Sequence, residues 1–357
     1  MHIGFLSTKQ ACEFLPHMEK LLARKGHEIA CSVCVSGEVD FAETLNYVAM
    51  QSQAIIYYGD RNRLFDTLKN DYNVDPKQSV FELNDTFYAV MDEYNESFVR
   101  ESIIPMLNGR CKTLYTTEIF KTFGREENEL KDLLKNHIKN RNRIVFSFYP
   151  SVCECEVAVR YSSKMPRDTV NAVVGGARAA LKSFTYSESD TTLAECVVKL
   201  LKAEKKKVCV AESFTGGAVA SSLTLCAGAS EVFEECVVCY ANESKIRRVG
   251  VERATVETFG AVSADTVYEM AANMLVQSGC DICLATSGNA GPTAEKEGEV
   301  GKCYIAVGDS DGIHIFEHNF LGDRKYVTEC GVKYALYYLF KQLKFKESFV
   351  NEEENKE

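Results

Sequence analysis

The stretch Ala211–Gly217 constrains the fold of this chain more than any other part of its sequence. It follows the apolar run Val208–Val210, which predicts a buried strand, and it precedes Ala218–Leu223, whose small residues and apolar spacing predict a helix. Ser213 therefore lies where a strand turns into a helix. The two glycines that end the stretch allow the backbone to turn sharply and to approach a ligand closely.

Two interpretations of this turn are open. A serine here can act as a nucleophile, with the N–H groups of Gly216 and Gly217 close enough to hold an anion or an oxyanion. Alternatively, Ser213 or Thr215 is only an N-cap, whose side-chain oxygen accepts hydrogen bonds from the first turn of the helix. The stretch alone does not decide between them.

Composition restricts where the protein works and what it binds. The chain has 357 residues, enough for two or three domains with their own cores. It has no apolar run of membrane-spanning length and begins without a signal pattern, so we expect a cytoplasmic protein with reduced cysteines and no membrane contact. The net charge of −10 gives no general attraction to nucleic acid, and no nucleic-acid partner is expected.

Three pairs of cysteines have the C-x-x-C spacing that often binds metal, namely Cys31/Cys34, Cys236/Cys239 and Cys280/Cys283. Each pair lies in an apolar run that predicts a strand, where positions three apart point to opposite faces. That arrangement does not suit a single zinc ion, and small core residues are the favoured interpretation. No cluster of carboxylates and histidines suggests another metal, so we expect no metal site.

Residues 1–108 alternate strands with helices, which predicts a βαβ-type α/β domain with a partly parallel sheet. No glycine-rich phosphate loop occurs in this part of the sequence. The segment Tyr57–Arg63, at the end of the central strand, could form a ligand site, but a polar loop is the favoured interpretation. The predicted strands and helices are, in order, Ile3–Leu6, Phe14–Lys25, His27–Val35, Phe41–Met50, Ala54–Tyr58 and Asn95–Leu107.

Two further domains are predicted after this one. Residues 109–190 predict a small α/β linker domain in the order β-α-β-β-α, and residues 191–345 predict an α/β/α domain. The acidic residues 346–357 are expected to form a disordered tail. The predicted strands of the third domain are Lys207–Glu212, Cys236–Tyr240, Asp281–Thr286, Lys302–Gly308 and Ile313–Phe320, and its helices are Leu193–Lys202, Gly217–Cys226, Ala264–Ser278 and Arg324–Leu343.

Three groups of polar residues in the third domain share one position, the carboxyl end of a predicted strand. Ligands of open α/β sheets bind at such carboxyl ends. Three coinciding groups therefore favour a functional site over a set of unrelated turns. They are Ser213 and Thr215 after the first strand, Tyr240, Asn242 and Lys245 after the second, and Ser287–Pro292, which includes Gly288, after the third.

The residue types that the third domain lacks restrict the choice of catalytic base. The third domain contains two histidines, His314 and His318, both on one alternating edge strand where we expect them to face solvent. A Ser-His-Asp triad is therefore not expected. Lysine is the remaining candidate base, and Lys245 can take a proton from Ser213 if a dry pocket disfavours its charged form. The alternative is that Lys245 is an ordinary helix-surface lysine.

The third domain resembles a known family in many separate motifs. The matching segments are Ala211–Gly217, Gly228–Ser230 with Phe233, Tyr240–Asn242 with Lys245, Gly250–Val251, Gly260–Ser263, Ser287–Pro292 and Gly322–Arg324. Their order and spacing are similar to those of the CinA C-terminal domain, the PncC-type nicotinamide mononucleotide deamidase module. The resemblance implies hydrolysis of a small-molecule nucleotide, nicotinamide mononucleotide, to nicotinic acid mononucleotide and ammonia, without metal or cofactor. A homodimer is the expected assembly.

Within this resemblance, each candidate residue has an expected role. Ser213 attacks the carboxamide carbon, Lys245 is the general base, and Ser287 relays or orients the proton. Arg324, at a predicted helix start, suits the substrate 5′-phosphate; a helix-surface arginine is the alternative. Two residues are expected to shield and fix the lysine amine, Tyr240 and Asn242. The expected substrate-binding residues are Thr215, Gly216, Gly217, Asn242, Gly288 and Arg324.

Residues 1–190 resemble, more faintly, the remainder of a full-length CinA, a molybdopterin-binding-like domain followed by a small linker domain. The first domain departs from the family at two ligand segments, which here are Ser7–Lys9 and Tyr57–Arg63. We therefore expect no metal-dependent ADP-ribose pyrophosphatase activity. In the third domain, Phe214, Asn289 and Thr293–Gly301 differ from the family pattern. The nucleophile and base positions are intact, so an active enzyme is the favoured interpretation. The changed first domain and the altered loop after Pro292 motivate the alternative, a catalytically inactive CinA-like protein that binds nucleotide or acts as a scaffold.

Overall fold

The computed structural model describes residues 1–11, 13–35, 40–139, 144–293 and 299–345, so the predicted tail at 346–357 lies outside the described residues. The chain divides into two compact units. The three-part division expected from the sequence stays a prediction, because residues 109–190 contribute to both units. Among the described residues, no helix has both the length and the apolar character needed to cross a membrane. The first unit contains Met1–Glu118, Asn136–Ser147 and Ala158–Ala177, and the second contains Ile119–Lys135, Phe148–Val157 and Arg178–Glu357.

The first 109 residues form a five-stranded sheet with helices on both faces. The strands are β1 (His2–Ser7), β2 (Glu28–Cys34), β3 (Ala54–Tyr58), β4 (Val80–Leu83) and β5 (Thr86–Met91). The helices are α1 (Leu15–Arg24), α2 (Phe41–Gln51), α3 (Arg61–Tyr72), α4 (Glu96–Phe98) and α5 (Ile104–Gly109), with a π-helical segment, Val99–Ile103, between the last two. The strand order is β2-β1-β3-β5-β4, and only the β4–β5 pair is antiparallel.

The expectation of a polar loop over Tyr57–Arg63 is wrong. Helix α3 begins within this segment, and the side chain of Asp60 caps it by accepting the N–H of Asn62 at 3.0 Å. The sequence signal for this helix is weak because its buried residues are just Leu64 and Leu68. Strands β4 and β5 are also absent from the sequence-based prediction.

The middle of the chain forms a four-stranded sheet and two helices. Its elements are β6 (Tyr115–Phe123), α6 (Glu127–Lys139), β7 (Val145–Ser151), β8 (Glu154–Ser162), α7 (Arg167–Leu181) and β9 (Thr185–Ser187). The strand order is β7-β8-β6-β9. The predicted order β-α-β-β-α is confirmed, and the short strand β9 follows it.

The rest of the chain forms a second five-stranded sheet. Its strands are β10 (Val208–Glu212), β11 (Phe233–Val238), β12 (Ile282–Gly288), β13 (Lys302–Asp309) and β14 (Gly312–Asn319). Its helices are α8 (Leu193–Glu204), α9 (Ala218–Thr224), α10 (Asn242–Ser244), α11 (Arg253–Phe259), α12 (Ala264–Ser278) and α13 (Arg324–Lys344). The strand order is β11-β10-β12-β13-β14; the first three strands are parallel, and β13 and β14 are antiparallel to their neighbours.

Strand β10 is buried along its whole length because helices cover both faces of the sheet. Val208 and Val210 share a core with α8, α9 and α13, whereas Cys209 and Ala211 share a core with α12. The predicted α/β/α class is therefore confirmed. Since β10 lies between two parallel neighbours, the carboxyl ends of three strands meet at one edge of the sheet, and the turn after β10 lies at that edge.

Candidate active site

The turn after β10 presents Ser213 at the carboxyl edge of the sheet. The N–H of Gly216 donates to the carbonyl oxygen of Ser213 at 3.1 Å and closes the turn. Gly216 and Gly217 have φ angles of +62° and +95°, a region that side-chain-bearing residues rarely adopt, so both positions favour glycine. The N-cap of α9 is Gly217 itself. The alternative in which Ser213 or Thr215 caps the helix is therefore wrong.

Ser213 and Lys245 are in direct contact. The Lys245 amine donates to Oγ of Ser213 at 2.9 Å and to the carbonyl oxygen of Tyr240 at 3.3 Å. The two residues are 5% and 2% exposed, so Lys245 is not a helix-surface lysine. Burial in general disfavours the charged form of an amine, and a lysine that acts as a base must be neutral for part of the time.

Two neighbouring parallel strands bring this pair together. Glu212, the last residue of β10, lies opposite Val238, the last residue of β11. Ser213 follows the first strand directly. Lys245 follows the second by one short helix, α10, and is the first residue of the π-helical segment Lys245–Val249.

Strand β12 supports the other side of the turn through Thr286. Its carbonyl oxygen accepts the N–H of Ser213 at 3.0 Å, and its hydroxyl lies 2.7 Å from the hydroxyl of Thr215. Thr286 is fully buried. It is not among the sequence candidates, because a threonine inside a buried strand gives no signal of a functional role.

Ser287 and Gly288 are the last residues of β12. Ser287 is fully buried, and its hydroxyl donates to the carbonyl oxygen of Ala261 at 2.6 Å, so a relay of protons from Ser287 to Lys245 stays a prediction. A Cβ on Gly288 would lie 3.0 Å from Cα of Cys303 on β13. Packing against β13 is therefore sufficient to explain this glycine, and its contact with substrate stays a prediction.

The expectation that the N–H groups of Gly216 and Gly217 hold an oxyanion is wrong. The N–H of Gly216 is used inside the turn, and the N–H of Gly217 donates to the carboxylate of Glu212 at 2.8 Å. Glu212 is fully buried and lies at the positive end of α9, where a helix attracts an anion. Contact of other atoms of the two glycines with substrate stays a prediction.

Arg324 joins three segments at this edge of the sheet. It is the first residue of α13, and its guanidinium donates to the carbonyl oxygen of Gly291 at 2.6 Å and to the hydroxyl of Tyr240. The Tyr240 side chain is 56% exposed, so this residue contacts Lys245 through its carbonyl oxygen. Asn242 begins α10 and is exposed. Roles for Arg324 and Asn242 in substrate binding stay predictions.

Phe214, one of the residues that differ from the family pattern, lies in the core beneath α13. Its ring is 4% exposed and packs in a cluster with Ala290, Cys303 and Val327. A Cβ on Gly331 of α13 would lie 2.5 Å from Cε2 of this ring, so the two residues match each other in size. Phe214 differs from the family pattern, and its ring fits into the core because the facing residue on α13 is a glycine.

The other residues that differ from the family pattern, Asn289 and Thr293–Gly301, follow β12 and lead to β13. The N–H of Asn289 donates to the carbonyl oxygen of Lys302 at 2.9 Å, and its carbonyl oxygen accepts the N–H of Gly301 at 2.7 Å. Of the departing segment Thr293–Gly301, residues 294–298 lie outside the described part of the chain. The backbone of Asn289 therefore continues the pairing of the two strands.

The expectation that His318 faces solvent is wrong. Its ring stacks on Phe320 with centroids 5.0 Å apart, and Nε2 lies 2.7 Å from the hydroxyl of Tyr338 on α13. The aromatic side chains of α13 cover β14 and half-bury this histidine. His318 therefore belongs to a packed aromatic layer.

Thiols near the turn are poor nucleophiles compared with an activated serine. Burial raises the pKa of Cys239, although Lys245 acts in the opposite direction. Burial and the carboxylate of Glu212 both raise the pKa of Cys236. A thiol is reactive as its thiolate, so both cysteines are held in the unreactive form near neutral pH. Within the part of the chain that the structure describes, His, Cys, Asp and Glu side chains form no group of three that could hold a metal.

Fold and site together define the class of this protein, an α/β protein with a buried serine–lysine pair at the carboxyl edge of parallel strands. Residues 190–343 match the family model of the CinA C-terminal domain. These residues therefore belong to the CinA C-terminal domain family.

Two curated relatives agree with the assignment of this domain. A competence-damage inducible protein of Caldicellulosiruptor saccharolyticus is 33% identical over 66% of this chain and 58% of its own length. A CinA-like protein of Kosmotoga olearia is 30% identical over 68% of this chain and 60% of its own. The chain thus spans about three fifths of the length of these curated relatives. A crystal structure of a CinA superfamily protein from Klebsiella pneumoniae is 31% identical, with a TM-score of 0.41, over 42% of this chain and 95% of that one.

Proposed function

We propose that the second unit is an amidohydrolase that converts nicotinamide mononucleotide to nicotinic acid mononucleotide and ammonia. The observation that carries this proposal is the buried contact of 2.9 Å between Lys245 and Ser213. A serine with a desolvated amine in hydrogen-bond reach has the nucleophile and the base that acyl transfer needs. The motifs shared with the PncC-type module support the choice of this amide as substrate.

The reaction proceeds in two halves around the same pair. Lys245 takes the proton of Ser213 while Oγ attacks the carboxamide carbon, giving a tetrahedral intermediate. Collapse of the intermediate breaks the C–N bond, and the Lys245 ammonium returns the proton to the leaving ammonia. Water then attacks the acyl-serine with Lys245 again as base, which releases the nicotinic acid product and restores the serine.

The oxyanion of the intermediate requires hydrogen-bond donors, and the turn leaves two backbone groups for it. The N–H groups of Gly216 and Gly217 are already used. Those of Phe214 and Thr215 have no hydrogen-bond partner within residues 1–11, 13–35, 40–139, 144–293 and 299–345. We therefore assign the oxyanion to the N–H groups of Phe214 and Thr215, which adjoin the nucleophile as donors of this kind usually do.

The 5′-phosphate of the substrate is assigned to Arg324. Its guanidinium reaches the edge of the sheet where Ser213 lies, and its planar fork suits a phosphate. The bonds of Arg324 to Gly291 and Tyr240 hold it in place before substrate arrives. The expected homodimer stays a prediction.

Ammonia release from nicotinamide mononucleotide by the full chain tests the proposal. We expect release from the unsubstituted protein and at least a thousandfold slower release from Ser213→Ala, on the scale of a lost nucleophile. Ser222→Ala, which removes a hydroxyl bonded within α9, serves as the matched control and should retain activity. Binding of the mononucleotide without ammonia release would instead support the alternative of an inactive nucleotide-binding protein.

A further inference from the structure

The carboxylate of Glu212 accepts hydrogen bonds from three backbone N–H groups. These groups lie at the start of α9, beyond the turn that contains Ser213. Oε2 accepts the N–H groups of Gly217 at 2.8 Å and Val219 at 3.2 Å, and Oε1 accepts the N–H of Ala220 at 2.8 Å. The thiol of Cys236 on β11 donates to Oε1 at 3.5 Å. The residue is fully buried. Burial of a carboxylate is costly unless it is well hydrogen-bonded, so these contacts are needed to keep it there.

This arrangement differs from an ordinary helix cap. A capping side chain normally comes from the N-cap residue, but the N-cap of α9 is Gly217. Glu212 instead reaches from the end of β10, across the intervening turn, to the first residues of α9. Its carboxylate therefore ties together the two ends of the segment that contains Ser213.

Strand β12 fixes the same segment from the opposite side. Thr286 accepts the N–H of Ser213, and its hydroxyl meets the hydroxyl of Thr215. With Glu212 at one side and Thr286 at the other, the turn has little freedom to move Ser213 away from Lys245. Loss of either support should therefore displace Oγ of Ser213. The affinity for substrate should change little.

We propose that Glu212 is a positioning residue, whose buried carboxylate holds the turn so that Ser213 stays within hydrogen-bond reach of Lys245. This inference rests on the proposed function of that pair. Displacement of a reacting atom by about 1 Å can lower a rate by two orders of magnitude. Glu212 should therefore affect the rate of Ser213 chemistry and leave substrate affinity nearly unchanged.

The chemistry of the contacts explains why glutamate is required. All three backbone partners are donors, and a carboxylate offers two acceptor oxygens. Glu212→Gln replaces one oxygen with an NH2 group, which would face an N–H donor. Glu212→Asp keeps the charge but is shorter by one methylene, so it cannot reach both ends of the turn.

The test measures the rate at which a fluorophosphonate probe labels Ser213 in the full chain, located by mass spectrometry. This readout needs the nucleophile and its base but not the natural substrate. We expect Glu212→Gln and Glu212→Asp to label at least tenfold more slowly, and kcat for ammonia release to fall by a similar factor with KM within twofold. Glu195→Gln is the matched control, because Glu195 accepts the N–H of Thr192 at the start of α8 in the same unit. It should label at the rate of the unsubstituted protein.

Circular dichroism separates a positioning effect from unfolding. If Glu212→Gln folds and labels as fast as the unsubstituted protein, the proposal is overturned. If Glu212→Gln does not fold, Glu212→Asp is measured in its place. Labelling of Glu212→Asp at the rate of the unsubstituted protein would also overturn the proposal. Rapid labelling of Ser213 without ammonia release from the mononucleotide would refute the proposed substrate and leave the role of Glu212 intact. Absence of labelling in the unsubstituted protein would contradict both proposals.

Discussion

The pairing of Phe214 with Gly331 makes a sharp prediction about stability. A Cβ at position 331 would lie 2.5 Å from Cε2 of the Phe214 ring and 3.4 Å from Cγ2 of Thr215. Contact between carbon atoms is favourable from about 3.5 Å, so Gly331→Ala must displace the ring by roughly 1 Å. The ring is enclosed by its neighbours and has little room to move.

The magnitude follows from two opposing terms. Overpacking of a well-packed core costs about 1–3 kcal/mol, and alanine in place of glycine inside a helix recovers up to about 1 kcal/mol. We expect Gly331→Ala to lower the free energy of unfolding by about 1–2 kcal/mol. For a unit of this size, that corresponds to a fall of roughly 2–8 °C in the midpoint of thermal unfolding.

A matched control comes from Gly175 on α7. It is also a helical glycine, but a Cβ there meets no atom within 4 Å, so Gly175→Ala should raise stability by up to about 1 kcal/mol. Differential scanning calorimetry of the full chain compares the two variants. Phe214→Leu combined with Gly331→Ala should recover most of the loss, since the ring atoms that clash are gone. A rise in the midpoint for Gly331→Ala, equal to that for Gly175→Ala, would refute the reasoning.

Three further predictions follow from the site and the first unit. Arg324→Ala should raise KM for nicotinamide mononucleotide by about tenfold to a hundredfold, the scale of a lost charged hydrogen bond, and leave KM for nicotinamide riboside unchanged; equal effects on both substrates would exclude a phosphate contact. Thr286→Val keeps the shape of the strand but removes the hydroxyl that meets Thr215, so kcat should fall about tenfold while KM stays within twofold; unchanged kcat would show that this hydroxyl does not fix the turn. The full chain with Mg²⁺ should not cleave ADP-ribose, because Asp60 caps α3 and the guanidinium of Arg61 pairs with Asp92 at 2.7 Å; metal-dependent cleavage would contradict this assignment.

The sequence allowed the position of the candidate site to be predicted because each clue was local. The apolar run before Ser213 and the glycines after it define a strand-to-helix turn, and Lys245 follows the next strand by one short helix. Carboxyl ends of neighbouring parallel strands lie at one edge, so proximity of the two residues follows from topology.

The partners of the backbone N–H groups could not be predicted in the same way. The glycines of the turn suggest free donors, but Glu212 competes for the N–H of Gly217 by folding back across the turn. Such a contact depends on three-dimensional reach rather than on spacing along the chain. The same limit applies to Thr286, whose role depends on the strand that lies beside it, and to His318, which α13 covers from a distance in sequence.

The most direct test of the account is the comparison of Lys245→Arg with Lys245→Ala. Arginine keeps a positive charge but cannot release its proton near neutral pH, so it can hold Ser213 in place without acting as a base. We predict that kcat for ammonia release falls about a hundredfold or more in both variants, the usual scale of lost general-base catalysis, while Lys199→Ala on the exposed face of α8 retains full activity. Retention of activity in Lys245→Arg would contradict the account, because Lys245 would then supply charge alone and the proton of Ser213 would pass to another group.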